Sequence, residues 1–241
     1  MAEMIRDTLF THKDGGAFAF DADVSRVFED MIKRSVPGYG LTLQMIRVIA
    51  GLYAQEGSKL YDLGCSLGAS TLAMAHGIRV EGCSIIGVDN SEAMVSRCEK
   101  YVASSPVPVE IFQQNVQEVK FINASVVVLN FTLQFVPKEE RLILIQNIYK
   151  GMRKGGVLVL SEKVSFDDDF TQQQHILLHE SFKKAQGYSD MEVSRKRQSL
   201  ENVLVPESIE AHHARLLDAG FEKSQTWFQC FNFVSILAYK L

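Results

Sequence analysis

The chain has 241 residues, of which 46% are hydrophobic and 22% are charged, so it can bury a substantial core. No segment approaches the roughly 18 consecutive apolar residues of a membrane helix, and the N-terminal stretch is too polar for a signal peptide, which predicts a cytoplasmic protein. A net charge of −4 argues against a broad nucleic-acid-binding surface. Four widely spaced cysteines without a CxxC pair predict neither a metal site nor a disulfide framework.

Short β-rich runs alternate with helical patterns over most of the chain, at the spacing of βα units. Strands are predicted at Lys59–Leu63, Ser84–Val88, Val109–Gln113, Ser125–Asn130 and Val157–Ser161, with helices near 69–78, 92–104 and 139–152. The runs VVVL and VLVL lack polar alternation, as in central strands that helices cover on both faces. Ser91 is predicted to cap the second helix, and Gly155 and Gly156 to end the third.

The C-terminal part continues the pattern with the amphipathic stretch ESIEAHHARLLDAGF and two β-like runs, SQTWFQCF and FVSILAYK, which could form a closing hairpin. The fold class predicted is therefore α/β, with a doubly wound, mostly parallel, seven-stranded Rossmann-like sheet. We predict a single domain made of a helical N-terminal extension (1–56), a ligand-binding core (57–162), a helical insertion (163–205), and a closing helix and strands (206–241). The extension and the insertion are expected to fold over the ligand-binding edge.

Four predicted strands end in glycine or small polar residues, and ligands in open α/β sheets bind beyond these carboxyl ends. The residues are Gly64, Cys65, Ser66, Asp89, Asn90, Asn115, Val116 and Asn130. The first loop reads GCSLGAS. Cys65 and Ser66 stand where a dinucleotide-binding GxGxxG loop has its first variable residue and its second glycine, so a ligand without a phosphate fits better. Because Asp89 can accept hydrogen bonds from both hydroxyls of a ribose, the candidate ligand is S-adenosylmethionine.

This pattern resembles the class I S-adenosylmethionine-dependent methyltransferases over roughly residues 57–241. The resemblance implies that the DLGCS loop contacts the methionine part, that Asp89 and Asn90 bind ribose, and that Asn115 and Val116 bind adenine. The adenine position is often aspartate in that superfamily. We expect Asn115 to replace it, because its side-chain carbonyl can still accept from the adenine amine.

A closer resemblance extends over nearly the whole chain. The segments RDTLF, KRSVPGY, YDLGCSLGA, DNS, NFTLQF, VLVLSEK, GYSDMEVS, LENV and WFQCFNF are similar to those of the bacterial carboxy-S-adenosyl-L-methionine synthase family. The resemblance implies that prephenate and S-adenosylmethionine are converted to carboxy-S-adenosyl-L-methionine and phenylpyruvate. The product would supply a second enzyme that modifies the tRNA wobble uridine. The resemblance also implies a homodimer, whereas the spacing of cysteines and histidines predicts no metal and the acidic charge predicts no stable binding of nucleic acid by this chain.

Three residues outside the generic loops gain roles from this resemblance. Arg197 is implied as the catalytic residue: it would reach into the partner subunit's site and pair with the new carboxylate, for which a guanidinium fork is suited. Without the resemblance, the run Arg195 to Arg197 would be a solvated helix face. Tyr39 would close the pocket near the sulfonium, or else pack after a turn. Asn130 would contact the ligand, or else end a strand.

Other sequence features point to alternatives that remain open. His175 and His179 are four residues apart but have no third partner at metal-ligand spacing, so structural or surface roles are expected. An ordinary methyltransferase acting on a small molecule or tRNA, and a non-catalytic S-adenosylmethionine-binding protein, are the two other functional hypotheses. Only the synthase should consume prephenate, a methyltransferase should release S-adenosylhomocysteine, and a binding protein should turn over nothing.

Overall fold

A computed structural model of the chain describes residues 5–12, 18–201 and 203–241. Seven strands form one sheet, and their bounds are β1 Lys59–Leu63, β2 Ser84–Asp89, β3 Val109–Gln113, β4 Ala124–Asn130, β5 Met152–Lys163, β6 Lys223–Cys230 and β7 Phe233–Tyr239. Their order in the sheet is β3-β2-β1-β4-β5-β7-β6. The first five strands pair in parallel, and β7 lies antiparallel between β5 and β6. The predicted fold class is confirmed, and β6 and β7 form the predicted hairpin.

Helices cover the sheet and its carboxyl edge. They are α1 Leu9–His12, α2 Ala22–Ser35, α3 Tyr39–Tyr53, α4 Ala69–Gly77, α5 Glu92–Val102, α6 Lys138–Gly151, α7 Asp169–Ala185, α8 Asp190–Leu200 and α9 Ile209–Asp218. The central strand β4 is buried from Ala124 to Leu129, as its apolar sequence predicts. The predicted cap is also confirmed, because the Ser91 hydroxyl accepts from the N–H of Met94 at 3.2 Å. None of the described helices is long and apolar enough to cross a membrane.

The C-terminal end of α6 differs from its prediction. The helix ends at Gly151, and Gly155 and Gly156 lie inside β5. Close packing explains the difference, since a Cβ at Gly151 would stand 2.3 Å from the Cβ of Phe121. The next residue, Met152, already pairs with Ala124 of β4. A tertiary contact therefore ends the helix four residues before the glycine pair.

A buried arginine joins the segment after β4 to residues 205–207. Arg141 of α6 is 1% exposed and forms an ion pair with Glu207. Glu207 also accepts two hydrogen bonds from Arg215 of α9, both at 2.7 Å. The remaining donors of Arg141 reach the carbonyl oxygens of Val136 at 2.8 Å, Val205 at 3.0 Å and Gln134 at 3.3 Å. This network holds the loop after β4, which lines the site described below.

The N-terminal extension and the helical insertion pack against each other over the carboxyl edge of the sheet. The Tyr188 hydroxyl donates to the Asp7 carboxylate at 2.6 Å, and the Arg34 guanidinium donates to the carbonyl oxygen of Gln186 at 2.8 Å. Arg34 also lies over the Tyr188 ring, 3.9 Å from its centroid. Within the described residues, the two additions thus form a joint cover over the ligand-binding edge.

Candidate active site

One cavity of about 1210 Å³ opens between this cover and the carboxyl ends of the strands. Roughly 300 to 1,000 Å³ is typical of a pocket for one small ligand, so this volume leaves room for two ligands side by side. All ten predicted site residues line it: Tyr39, Gly64, Cys65, Ser66, Asp89, Asn90, Asn115, Val116, Asn130 and Arg197. The structure thus brings the predicted residues together, while their contacts with a ligand stay a prediction.

The loop after β1 needs glycine at its first position. Gly64 has a φ of 76°, and a Cβ there would stand 2.4 Å from the Thr132 hydroxyl oxygen. The N–H groups of Gly64 and Cys65 both donate to the Val88 carbonyl oxygen, at 2.7 and 3.0 Å. This pair of hydrogen bonds fixes the loop against β2, and the contact of Cys65 with a ligand stays a prediction.

The Cys65 thiol has no features of a nucleophile. It is 4% exposed and packs with Cys98 of α5. A hydrogen bond with Cys98, and then burial, raise the pKa of the Cys65 thiol well above its ordinary value. Because the thiolate is the reactive form, the side chain stays protonated and unreactive at neutral pH.

Asp89 links the ends of β1 and β2. One carboxylate oxygen accepts from the N–H of Ser66 at 2.9 Å, and the other accepts from the N–H of Ser91 at 2.9 Å. Burial raises the pKa of Asp89, while these two hydrogen bonds act to lower it. Each carboxylate oxygen keeps a free lone pair, so the side chain can hold the loop and still accept from two ribose hydroxyls.

We expect Asp89→Ala to weaken S-adenosylmethionine binding by roughly 2 to 4 kcal/mol, at about 1.5 to 3 kcal/mol per charged hydrogen bond less what water recovers. The loss of the Ser66 contact should add to the effect by freeing the loop. Calorimetry on the purified variant measures it. Asp23→Ala, on the exposed face of α2, is the control and should bind normally. An unchanged affinity in Asp89→Ala would remove this residue from the site.

The next two predicted residues form a small network at the β3 side of the cavity. The Asn90 amide donates to the Asn115 side-chain carbonyl at 3.2 Å, and the Asn115 amide donates to the Glu118 carboxylate at 3.0 Å. The Asn115 carbonyl therefore already has one donor, and one lone pair remains for an adenine amine. Val116 is buried beside it and supplies an apolar wall.

Tyr39 and Asn130 lie near the centre of the cavity. Tyr39 begins α3, packs with Phe131 and Phe233 and lines the cavity, while its closure of the pocket near a sulfonium stays a prediction. Burial, and then the charges of two carboxylates, raise the pKa of the Tyr39 phenol, which stays protonated. The Asn130 amide donates to the Ser70 hydroxyl at 3.1 Å, and its buried carbonyl oxygen has no partner among the described residues. A buried acceptor without a partner fits a ligand donor.

The run Arg195 to Arg197 on α8 is not uniformly solvated. Lys196 is 6% exposed and donates to the Ser35 hydroxyl at 2.7 Å. Arg197 lies at the cavity wall, where its side chain is 62% exposed and pairs with Glu180 of α7 at 3.0 Å. An exposed guanidinium can exchange this pair for another carboxylate at small cost.

Sequence reasoning gave no ligand-binding role to three polar residues of the cavity, one of which, His179, was expected to be structural or on the surface. Lys163 ends β5, and His179 and Lys183 lie four residues apart on α7. The spacing of the last two was the available signal, because it places them on one helix face. His179 hydrogen-bonds the Ser35 carbonyl oxygen through Nε2 at 2.8 Å, and burial, then Lys183, lower its pKa to about 3. It is therefore neutral. Within the described part of the chain no three potential metal ligands converge.

Comparison with known proteins agrees with this geometry. Residues 60–156 match a family model described as a methyltransferase domain. An O-methyltransferase family protein from Burkholderia thailandensis superposes with a TM-score of 0.63 at 15% identity, covering 96% of this chain and 66% of that one. The fold and the family-model match thus define a protein with a methyltransferase-like α/β fold.

Two relatives are much more similar. A carboxy-S-adenosyl-L-methionine synthase from Citrifermentans bemidjiense is 55% identical over 92% of this chain and 93% of its own. Another of that name, from Marinobacter nauticus, is 54% identical over 99% of this chain and 96% of its own. The chain belongs to the carboxy-S-adenosyl-L-methionine synthase family, as its sequence motifs predicted.

Proposed function

We propose that this protein is an enzyme that converts S-adenosyl-L-methionine and prephenate to carboxy-S-adenosyl-L-methionine and phenylpyruvate. The observation that carries the proposal is the identity of 54% over 99% of the chain with a synthase of that name. The size of the cavity adds support, since about 1210 Å³ can take the nucleoside and a second small molecule together.

The reaction balances without a further reagent. Prephenate loses carbon dioxide and its ring hydroxyl as it becomes phenylpyruvate. The sulfonium acidifies its methyl group, which loses a proton and gains the carbon dioxide as a new carboxylate. The methyl proton and the ring hydroxyl together make one water. The protein therefore has to hold two substrates in contact and to receive the new carboxylate.

The chain's own residues suit these tasks. We assign ribose binding to Asp89, and adenine binding to Asn115 with Val116. Arg197 is our candidate for the new carboxylate, because a planar guanidinium binds a carboxylate through two N–H groups and stays charged when dehydrated. We propose that the protein works as a homodimer in which Arg197 serves the partner subunit's site. Its exposure in the single chain supports this role.

Mass spectrometry of the reaction tests the proposal. Incubation with S-adenosylmethionine and prephenate should give a nucleoside heavier by one carbon dioxide, together with phenylpyruvate. Omission of prephenate should abolish both products. Release of S-adenosylhomocysteine with a methylated acceptor would instead show an ordinary methyltransferase, and the absence of any turnover would show a binding protein.

We further propose that the product diffuses to a second enzyme that modifies the tRNA wobble uridine, a role that would place the protein in the cytoplasm. With a net charge of −4, the chain should form no stable complex with tRNA, because affinity for nucleic acid depends on Lys and Arg contacts with phosphates. Filter binding at low salt measures this. A tight, salt-sensitive complex would contradict the expectation and favour a tRNA methyltransferase.

A further inference from the structure

The order of strands separates two ends of the cavity. Asp89 ends β2 and Asn115 follows β3, at one side of the sheet, whereas Lys163 ends β5, on the other side. Adjacent strands lie about 4.8 Å apart, so Lys163 begins about 14 Å from Asp89 along the edge. A nucleoside bound at β2 and β3 therefore leaves the β5 end of the cavity to the second substrate.

Two lysines provide positive charge at this β5 end. Lys183 of α7 is only 6% exposed and lines the cavity together with Lys163. Neither ammonium group has a hydrogen bond or an ion pair with any residue that the structure describes. Glu180, the carboxylate that acts to raise the pKa of both lysines, is paired with Arg197 at 3.0 Å.

The other titratable groups around the pair do not neutralise it. Lys196 of α8 donates to the Ser35 hydroxyl and lies 3.9 Å from the Asp7 carboxylate, so it has its own partners. His179 is neutral and donates from Nε2. Burial, and then the charge of Lys163, lower the pKa of Lys183 to about 8; Glu180 acts to raise this pKa and Arg197 to lower it. Burial also lowers the pKa of Lys163. A bound anion would relieve this repulsion.

We propose that Lys163 and Lys183 bind the carboxylate that the second substrate retains, which is the 2-oxo acid carboxylate shared by prephenate and phenylpyruvate. This inference rests on the proposed function. It assigns the pair to substrate binding, a role separate from that of Arg197, and it sets the orientation of the substrate in the cavity.

The chemistry of decarboxylation explains why the pair serves the retained carboxylate. A carboxylate that leaves as carbon dioxide must lose its negative charge, so two ammonium groups bound to it would stabilise the ground state and slow the reaction. The retained carboxylate keeps its charge throughout, and cations bound to it anchor the substrate without opposing the step. The transferred group regains a charge only in the product, where Arg197 is placed to receive it.

The test compares two inhibitors that differ only in this carboxylate. Phenylpyruvate carries it, and phenylacetone has a methyl group in its place. In Lys183→Met, inhibition by phenylpyruvate should weaken by about tenfold to a hundredfold, the effect of losing one charged contact. Inhibition by phenylacetone should not change. The KM for prephenate should rise by a similar factor, while S-adenosylmethionine affinity stays within about twofold.

Two further variants complete the design. Lys184→Met changes the next residue on α7, an exposed lysine paired with Asp190, and should behave as the wild type. Lys163→Met, on β5, should weaken inhibition by phenylpyruvate in the same way as Lys183→Met on α7. Melting temperature and S-adenosylmethionine affinity show that each variant is folded.

The outcomes separate this inference from the proposed function. If the wild type releases no phenylpyruvate from prephenate, the proposed function fails. If the wild type is active but both lysine variants keep the phenylpyruvate inhibition constant, the proposed binding site is overturned. It is equally overturned if Lys183→Met weakens carboxy-S-adenosyl-L-methionine alone, because the pair would then hold the transferred carboxylate.

Discussion

Replacing Arg141 with methionine should lower the free energy of unfolding by about 3 to 5 kcal/mol, the range for breaking a buried ion pair. Methionine preserves most of the packing volume, so the loss should come from polar contacts. The variant removes the pair with Glu207 and the hydrogen bonds to the carbonyl oxygens of Gln134, Val136 and Val205. The Gln134 oxygen keeps one donor, the N–H of Val205 at 2.9 Å. Urea denaturation of wild type and variant measures the difference.

Arg26→Met is a matched control for this experiment. Arg26 pairs with Asp23 at 2.7 Å, but both side chains are about 60% exposed (59% and 62%). The same substitution there should cost only about 0 to 1 kcal/mol. Equal losses in the two variants would show that the buried network contributes no more than a surface pair.

The effect of Arg141→Met should depend on pH. Burial acts to raise the pKa of Glu207, but hydrogen bonds and charge from Arg141 and Arg215 outweigh it and hold the pKa below its ordinary value. A carboxyl group with a lowered folded-state pKa stabilises the protein above its unfolded-state pKa, and this stability is lost as pH falls through the folded-state pKa. The difference between wild type and variant should therefore narrow in acid.

Arg197→Ala should separate the two nucleosides. We expect S-adenosylmethionine affinity to stay within a few-fold of the wild type, while affinity for the carboxylated product falls by roughly 2 to 5 kcal/mol, the range for truncating a buried charged pair. The rate of synthesis should fall as well, because the interaction belongs to the product and the transition state before it. Arg197→Lys keeps the charge without the two parallel N–H donors, so its affinity for the carboxylated product should lie between those of the wild type and Arg197→Ala. Calorimetry with both nucleosides gives the comparison.

Mixing experiments test the proposed contribution of Arg197 to the partner subunit. If it acts across a dimer, Arg197→Ala mixed with Asp89→Ala should regain some activity, since one of the two sites in each hybrid has both residues. Equal weakening for both nucleosides would refute the carboxylate role. A normal rate of synthesis in Arg197→Ala would leave Arg197 as a surface charge paired with Glu180.

Local signals in the sequence predicted the core of the fold. β1 and β3 have their predicted bounds, because β-rich runs between turn residues are themselves the signal for a strand. The predicted end of α6 was wrong, because the close approach of Phe121 to Gly151 joins residues thirty positions apart in the sequence. A glycine pair is a local sequence signal for the end of a helix, whereas a tertiary contact has no local sequence signal.

The candidate site was likewise predictable from local sequence only in part. Glycine and small polar residues directly after strands could be predicted, because the topology of a parallel sheet brings its carboxyl ends to one edge. The burial of Lys183 and Lys196 could not, since a lysine has the same local pattern on a solvated helix face as in a pocket. Only the packing of α7 and α8 against the N-terminal extension excludes water from these two side chains.

The position of β7 has a consequence for synthesis of the protein. This strand is formed by residues near the end of the described chain, yet it lies inside the sheet, between β5 and β6. While the chain emerges from the ribosome, β1 to β5 can pair in turn, but β5 keeps an open apolar edge until residues 233–239 have appeared. An unpaired edge can recruit strands from other chains. The nascent protein is therefore most exposed to aggregation between the emergence of β5 and the emergence of β7 from the ribosome.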